Sequence, residues 1–264
     1  AWHVPHGSTA TTHIIKPQIG LRGDVDLTQS VENEYLCMQI LIALGLPVAA
    51  TQIADFADQR ALVIERFDRK WTSDDRLLRL PQEDCCQALS VPPSRKYQSD
   101  GGPGIIDILE FLKGSDNPQA DQALFMKTQF AFWLMAATDG HAKNFSVFLY
   151  PGGGFRLTPL YDVMSTQPLF DAGQLRRNQM RLAMSIGDNR HYRVHDIMPR
   201  HFLQSAAKAG MPVHVVTDII GQLRTQMPLA IEAVCDALPL GFPEQLRDSI
   251  LGGIMSRVRR FDKG

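Results

Sequence analysis

The spacing of apolar residues changes at about residue 80. Before it, short apolar runs at residues 11–16 and 61–64 are typical of β-strands. One helical pattern, residues 30–45, interrupts them; we expect Ser30 to be its N-cap and Gly45 to end it. Later apolar residues recur at helical spacing and predict helices at residues 105–113, 121–138, 199–209, 215–238 and 243–260. The pattern predicts an α+β protein.

A polar loop follows the predicted helix 121–138. It begins the tract ATDGHAKNFSVFLY at residues 137–150, and LYDV follows at residues 160–163. Phosphoryl transfer needs a carboxylate to orient the attacking hydroxyl and oxygen ligands for Mg²⁺. The order and spacing of Asp139, Asn144 and Asp162 supply these groups. We expect Asp139 to be the catalytic base and the other two residues to bind magnesium.

The residues between Asn144 and Asp162 strengthen this interpretation. An apolar run at residues 145–149, a turn at 151–154 and a return strand at 155–157 predict a hairpin that leads to Asp162. The alternative is that Asp139 begins an ordinary turn and Asn144 caps a neighbouring element. The motif alone gives the two readings about equal weight.

Lys16 and Glu34 are candidates for a phosphate-binding ion pair. Lys16 ends the first predicted strand, and Glu34 lies in the first turns of the helix that follows. Protein kinases use such a pair to hold a lysine on the phosphates of ATP. The alternatives are a surface lysine at a strand end and a solvated carboxylate that the helix dipole stabilises. The residues alone leave both open.

Composition limits the possible classes of protein. With 264 residues, 44% hydrophobic and 21% charged, the chain is expected to fold as one large or two modest domains. A net charge of −1 does not indicate general nucleic-acid binding, so DNA contacts would need a local patch, such as residues 189–193. No apolar stretch reaches the about 18–20 residues of a membrane span, so we expect no membrane partner.

The cysteines and histidines do not predict a metal site. The four cysteines lack metal-ligand spacing; we expect buried thiols at Cys37 and Cys235 and a reducing cytoplasm. His191 and His195 are four residues apart but have no third ligand at suitable spacing. The glycine-rich residues 99–104 lack the ending of a P-loop, and we expect a mobile loop beside the cleft.

A resemblance to a known family extends these predictions over nearly the whole chain. It rests on the segments THIIKPQ, SVENEY, VIERFDRKW, RLPQEDCCQ, KYQSDGGPG, ATDGHAKNFSVF, RLTPLYD and MPRHFL. Together they resemble the HipA family, the serine/threonine-kinase toxins of bacterial HipBA modules. The resemblance implies a protein-kinase-like fold, with ATP and Mg²⁺ as cofactors. It implies a partial β-rich N-lobe at residues 1–83 and an α-helical C-lobe at residues 84–264.

The resemblance also implies roles for individual residues. Asp139 would be the catalytic base, and Tyr161 with Asp162 the metal-binding pair. Glu65, Arg66 and Phe67 would form a linker whose main chain binds adenine. This agrees with their position after the apolar run 61–64, where backbone groups become free. Further nucleotide or magnesium contacts would come from Lys16, Gln82, His141, Ala142, Lys143 and Asn144.

The chain departs from ordinary protein kinases in ways that the resemblance accommodates. Ala137–Thr138–Asp139 replaces His-Arg-Asp, and Tyr161–Asp162–Val163 replaces Asp-Phe-Gly. Nothing before Lys16 resembles a glycine-rich phosphate loop. In this family that loop, with its autophosphorylated serine, lies upstream. We therefore expect the chain to be the later part of a longer protein.

The implied activity is transfer of the ATP γ-phosphate to a serine or threonine of a protein. The best-known type of target is glutamyl-tRNA synthetase, and its modification would arrest growth and favour persistence. The implied partners are a HipB-like helix-turn-helix antitoxin and, through that complex, operator DNA. Two alternatives stay open: a small-molecule or lipid kinase of the same fold, and a catalytically silent corepressor acting with the antitoxin.

Overall fold

The computed structural model describes residues 3–7 and 9–263. Residues 1, 2, 8 and 264, which belong to the predicted lobes, lie outside the described residues. The strands are β1 (His13–Pro17), β2 (Gly20–Arg22), β3 (Val25–Leu27), β4 (Thr51–Phe56), β5 (Gln59–Glu65), β6 (Arg69–Trp71), β7 (Leu77–Arg79), β8 (Gln82–Asp84), β9 (Ser146–Leu149), β10 (Phe155–Leu157), β11 (Arg181–Ile186) and β12 (His191–Arg193). The helices are α1 (Ser30–Ala43), α2 (Cys85–Ala88), α3 (Ile105–Leu112), α4 (Pro118–Met135), α5 (Gln167–Asp171), α6 (Pro199–Lys208), α7 (Val213–Ala237) and α8 (Glu244–Val258).

Two antiparallel sheets carry three of the residues that were predicted to be functional, namely Lys16, Glu65 and Gln82. In the first, β5 lies between β1 and β4, and Lys16 is opposite Leu62. In the second, β9 lies between β8 and β10, and β9 and β10 form the predicted hairpin. The proposed boundary between residues 83 and 84 falls inside β8, and the division into two domains stays a prediction.

The five later helices that the sequence predicts are present, with ends that differ by up to three residues. The largest difference is at α4, which ends at Met135 because Ala136 takes a left-handed conformation (φ 52°). The Ala136 carbonyl accepts hydrogen bonds from the backbone N–H and the hydroxyl of Thr166. This tertiary contact ends the helix before the catalytic loop, and sequence periodicity does not show it.

The predicted starts of two helices are wrong. Ser30 is the first residue of α1 rather than its N-cap, which is Gln29. The Ser30 hydroxyl instead accepts the Ile19 N–H (2.9 Å) and contacts Gln18 (3.1 Å). Pro243 precedes α8 as its N-cap instead of lying in the first turn. Both differences amount to a single residue, and the sequence gives a helix boundary only within a residue or two.

The hairpin of β11 and β12 was not predicted. Residues 189–193 are the local patch named above for DNA contacts, and within them His191–Arg193 pairs with β11. The ring of His191 stacks on His201, with centroids 3.9 Å apart, whereas His195 packs against Phe170. Cys37 is fully buried as expected, but Cys235 is only partly buried. Among the described residues, no helix is long and apolar enough to cross a membrane.

Helix α4 is the centre of the hydrophobic core. Phe130, Trp133 and Leu134 on this helix are fully buried. Trp133 packs against Phe202 and Phe261, and its indole N–H donates to the Val194 carbonyl (3.1 Å). Burial of this ring therefore fixes the helix that leads into the catalytic loop.

We expect Trp133→Ala to lower the free energy of unfolding by about 3–5 kcal/mol, because it leaves a large cavity and an unpaired carbonyl. The measurement is urea unfolding followed by far-UV circular dichroism. Trp71→Ala is the matched control: Trp71 is 60% exposed, and we expect a change below about 0.5 kcal/mol. Equal destabilisation by the two substitutions would contradict the central role of Trp133.

Candidate active site

A cavity of about 330 Å³ lies between the end of β5 and the second sheet. Its lining includes Ile14, Asp68, Arg79, Asp84 and Gln87. It also includes seven residues that were predicted to bind ATP: Lys16, Glu65, Arg66, Phe67, Gln82, Lys143 and Tyr161. The structure thus brings together seven predicted residues, of which Lys16 and Tyr161 are 145 positions apart in the sequence.

The segment after β5 is held by its backbone but leaves one donor unused. The Glu65 N–H donates to the Ala50 carbonyl, and the Arg66 N–H to the Thr12 carbonyl (both 2.9 Å). The N–H of Phe67 has no acceptor among the described residues. Because unpaired backbone donors are costly when they are buried, this N–H is a natural contact for a ligand in the cavity.

Aromatic rings form one side of the same cavity. Phe67 packs edge-on against Phe148 (5.7 Å) and lies 5.8 Å from the ring of Tyr161. The Tyr161 hydroxyl lies 2.6 Å from Ser146 Oγ and donates to the Lys143 carbonyl (2.8 Å). Burial raises the pKa of the Tyr161 phenol, so this residue stays neutral and acts as part of the wall.

Gln82 and Lys143 lie on the second sheet side of the cavity. The Gln82 side-chain oxygen is buried and has no hydrogen-bond partner among the described residues. Lys143 is paired with Asp84, with Nζ 2.5 Å from Oδ2. Asp84 was not predicted to belong to the site, although its capping box with Gln87 is visible in the sequence DCCQ.

At one edge of the cavity, Lys16 contacts two carboxylates. Its ammonium lies 2.8 Å from Glu34 Oε1 and 2.5 Å from Asp162 Oδ1. Burial lowers the pKa of Lys16, but Glu34 and Asp162 outweigh it and the net direction is upward. Burial raises the pKa of Glu34, and Lys16 offsets part of this effect. The lysine is therefore a fixed cation beside the cavity.

Asp162 takes a left-handed backbone conformation, with φ 60°. Aspartate and asparagine adopt this conformation more readily than most residues. The neighbours Leu160 and Val163 are buried, and the Leu160 N–H donates to the Pro47 carbonyl (2.8 Å). The chain is thus anchored on both sides of Asp162 while its carboxylate points to Lys16.

The loop after α4 folds around the carbonyl of Asp139. This oxygen accepts the His141 N–H (2.8 Å) and the side-chain amide of Asn144 (2.8 Å). In this orientation Asn144 Oδ1 accepts no hydrogen bond from the described residues and is available to a metal ion. Ala142 is buried in the short turn Ala142–Asn144, where its N–H faces the Lys96 carbonyl (3.4 Å).

The Asp139 carboxylate is separate from the first cavity and 62% exposed. It lines a second cavity of about 500 Å³, together with Asp26 and Thr138. The buried ring of His141 lies beside this carboxylate, with Nε2 3.8 Å from Asp139 Oδ1, and burial lowers the pKa of the imidazole. The site thus has two parts: the first cavity, which Asp139 does not line, and the exposed Asp139 carboxylate in the second cavity.

Tyr97 was not predicted to be functional. Its hydroxyl donates to Asp139 Oδ1, and its ring packs edge-on against His141 (5.0 Å). It belongs to KYQSDGGPG, where the sequence predicted a mobile loop, and no local pattern indicates that Tyr97 faces the catalytic loop. The contact joins residues 42 positions apart in the chain.

The order and pairing of the strands and helices define a protein-kinase-like α+β fold. The structure superposes on that of HipA in the Shewanella oneidensis complex of HipA, HipB and operator DNA, with a TM-score of 0.81 and 24% identity over 98% of this chain and 59% of the other. It also matches the Helicobacter pylori proinflammatory kinase CtkA, with a TM-score of 0.65 and 14% identity over 95% of this chain and 88% of the other. These matches confirm the predicted α+β fold.

Residues 2–231 match the HipA-like C-terminal domain, and the chain belongs to that family. It is 29% identical to the serine/threonine-protein kinase toxin HipA of Shewanella oneidensis, over 88% of this chain and 53% of that protein. It is 38% identical to Y4mE of Sinorhizobium fredii, over 62% of this chain and 38% of that protein. The chain therefore spans about half or less of the length of these curated relatives.

Proposed function

We propose that this chain is the catalytic part of an ATP-dependent serine/threonine-protein kinase. The observation that carries the proposal is the contact of Lys16 with both Glu34 and Asp162 at the edge of the cavity. A lysine held by a helix glutamate, next to a carboxylate that can bind metal, is the arrangement that phosphoryl transfer requires. Family membership supports the same conclusion.

The unused hydrogen-bonding groups suggest where the nucleotide binds. The Phe67 N–H is a donor for the adenine ring, next to Glu65 and Arg66 of the linker. Gln82 lines the same cavity and has an unpaired side-chain oxygen, so its amide is a second candidate contact for the nucleotide. Lys16 would then contact the phosphates. The about 330 Å³ of the cavity suits a small ligand of this kind.

The charges at the cavity edge suit a divalent cation. The carboxylates of Glu34 and Asp162 both contact the ammonium of Lys16, so two acidic side chains share one cation, while Lys143 is already paired with Asp84. Asn144 and Asp162 supply the oxygen ligands that Mg²⁺ prefers. Bound Mg²⁺ would neutralise charge on the phosphates.

The remaining steps use side chains of this chain. Asp162 and Asn144 would hold Mg²⁺, and Lys16 would exchange its contact with Asp162 for one with the phosphates. Asp139 would orient the acceptor hydroxyl and accept its proton while the hydroxyl oxygen bonds to the γ-phosphorus and the bond from that phosphorus to ADP breaks, with ADP as the leaving group. The exposure of Asp139 to the second cavity leaves room for a protein acceptor.

We further propose the biological setting that the relatives suggest. The protein would act as the toxin of a toxin–antitoxin module in the cytoplasm and arrest growth by phosphorylating glutamyl-tRNA synthetase. A HipB-like antitoxin would bind it, and the complex would contact operator DNA. The toxin role and the antitoxin and DNA partners are proposed from the Shewanella oneidensis relative, which is a kinase toxin and whose structure was solved with HipB and operator DNA. The synthetase target and the cytoplasm are proposed from the sequence analysis alone.

The test is transfer of labelled γ-phosphate from Mg-ATP to purified glutamyl-tRNA synthetase, together with calorimetric titration of ATP. We expect ATP binding that depends on Mg²⁺ and phosphate on a serine or threonine of the acceptor. Binding with transfer only to a small molecule or lipid would favour that class of kinase. The absence of both binding and transfer would contradict the kinase proposal and favour the silent corepressor.

A further inference from the structure

The side chain of Asp139 has a single hydrogen-bond donor among the described residues. That donor is the Tyr97 hydroxyl, which contacts Oδ1. The next polar atom that the structure places near Oδ1 is His141 Nε2, at 3.8 Å, which is too far for a hydrogen bond. The second carboxylate oxygen, Oδ2, accepts no hydrogen bond from the part of the chain that is described.

Tyr97 is held by a tightly folded segment. Its carbonyl accepts the N–H groups of Asp100 (3.0 Å) and Gly102 (2.9 Å). A Cβ atom on Gly102 would lie 2.0 Å from the Arg95 carbonyl oxygen, so only glycine fits there. The neighbouring Gln98 accepts the Ser185 N–H (2.6 Å) and thereby ties the segment to β11. These contacts therefore hold the backbone that carries the Tyr97 side chain in place.

The chemistry of the phenol suits a permanent donor. Burial raises the pKa of Tyr97, and the hydrogen bond to Asp139 raises it further. The phenol therefore keeps its proton at neutral pH and does not compete with Asp139 as a base. The edge-on packing on His141 places the ring against the catalytic loop.

We propose that Tyr97 is a positioning residue of the phosphoryl-acceptor site. Its hydroxyl fixes Oδ1 of Asp139, so that Oδ2 faces the second cavity and accepts the proton of the acceptor hydroxyl. The inference rests on the proposed kinase function. It assigns to Tyr97 the task of orienting the catalytic carboxylate in a loop that has no His-Arg-Asp sequence.

The first test is a kinetic cycle with Tyr97→Phe, Asp139→Asn and the double variant. We expect Tyr97→Phe to lower kcat roughly 10- to 100-fold, because loss of orientation removes part of the base catalysis, while the KM for ATP stays within about twofold. In the Asp139→Asn background the same substitution should cause no further loss, because the two residues act as a unit. Tyr150→Phe, which removes a partly exposed hydroxyl elsewhere, should leave kcat unchanged.

The second test does not need turnover. In protein labelled with ¹³C at tyrosine Cζ, the Tyr97 resonance is identified by its loss in Tyr97→Phe. We expect Asp139→Asn to shift this resonance and to lower the pH at which it titrates, with the Tyr150 resonance unchanged. A Tyr97 signal that does not respond to Asp139→Asn would overturn the contact itself.

The outcomes separate this inference from the proposed kinase function. A wild-type chain that transfers phosphate while Tyr97→Phe keeps its kcat, or raises it, would overturn the positioning role and leave the kinase intact. An equal loss in the wild-type and Asp139→Asn backgrounds would show a merely structural role. If the wild-type chain binds no ATP and transfers no phosphate, the kinase proposal fails. If the Tyr97 resonance still responds to Asp139→Asn in that case, the hydrogen bond exists but has only a structural role.

Discussion

Replacement of Asp139 by asparagine is expected to lower kcat by about 10²- to 10⁴-fold while the Kd for Mg-ATP stays within about threefold. The amide cannot accept a proton, so the acceptor hydroxyl loses its base. The substitution preserves the size of the side chain and leaves an oxygen for the Tyr97 hydroxyl. Asp139 does not line the about 330 Å³ cavity, so the proposed nucleotide contacts remain.

The measurement combines single-turnover phosphate transfer with calorimetric titration of Mg-ATP. Asp26→Asn is the matched control, since Asp26 is another exposed aspartate that lines the second cavity. We expect this control to keep kcat within about threefold, because the Asp26 carboxylate accepts its hydrogen bonds from the neighbouring Thr28 on the protein surface. A similar loss of turnover in both variants would contradict the special role of Asp139 and indicate a general effect of negative charge in the cavity.

The sequence predicts the parts of the site that depend on local spacing. The tract from Asp139 to Asn144 and the hairpin before Asp162 are contiguous patterns, and the structure forms both. The contact of Lys16 with Glu34 crosses two elements, but a strand lysine and a helix glutamate are enough to suggest it. The roles of these residues in catalysis and nucleotide binding stay predictions.

The parts that sequence reasoning missed depend on tertiary contacts. Tyr97 reaches Asp139 only because Gly102 permits a close turn and Gln98 binds the β11 backbone. The contact of Asp84 with Lys143 likewise requires β8 to pair with β9. Neither arrangement leaves a periodic signal in the chain. The end of α4 was misplaced for the same reason, since Thr166 decides it from 30 residues away.

The local charges around Asp162 predict a change in metal dependence rather than a uniform loss of binding. Without metal, Asp162 repels the phosphates and competes with them for Lys16, which it contacts at 2.5 Å. With Mg²⁺, the same carboxylate would become a ligand. We therefore expect Asp162→Ala to raise the Kd for Mg-ATP roughly 10- to 100-fold, about 1.4–2.8 kcal/mol, and to leave metal-free ATP binding unchanged or tighter.

The measurement is calorimetric titration of ATP with Mg²⁺ and, separately, with a chelator. Because Asp162 has φ 60°, alanine would add backbone strain, whereas asparagine tolerates this conformation. Asp162→Asn is therefore the matched control for strain, and it should also lose most of the Mg²⁺ dependence because the charge is gone. If only the alanine variant loses binding, the backbone and not the metal is the cause. Of the two aspartates, Asp162 is the one that contacts Lys16, which lines the cavity, and this is why separate roles are expected. If Asp139→Asn weakens Mg-ATP binding as much as Asp162→Ala does, the assignment of separate roles is wrong.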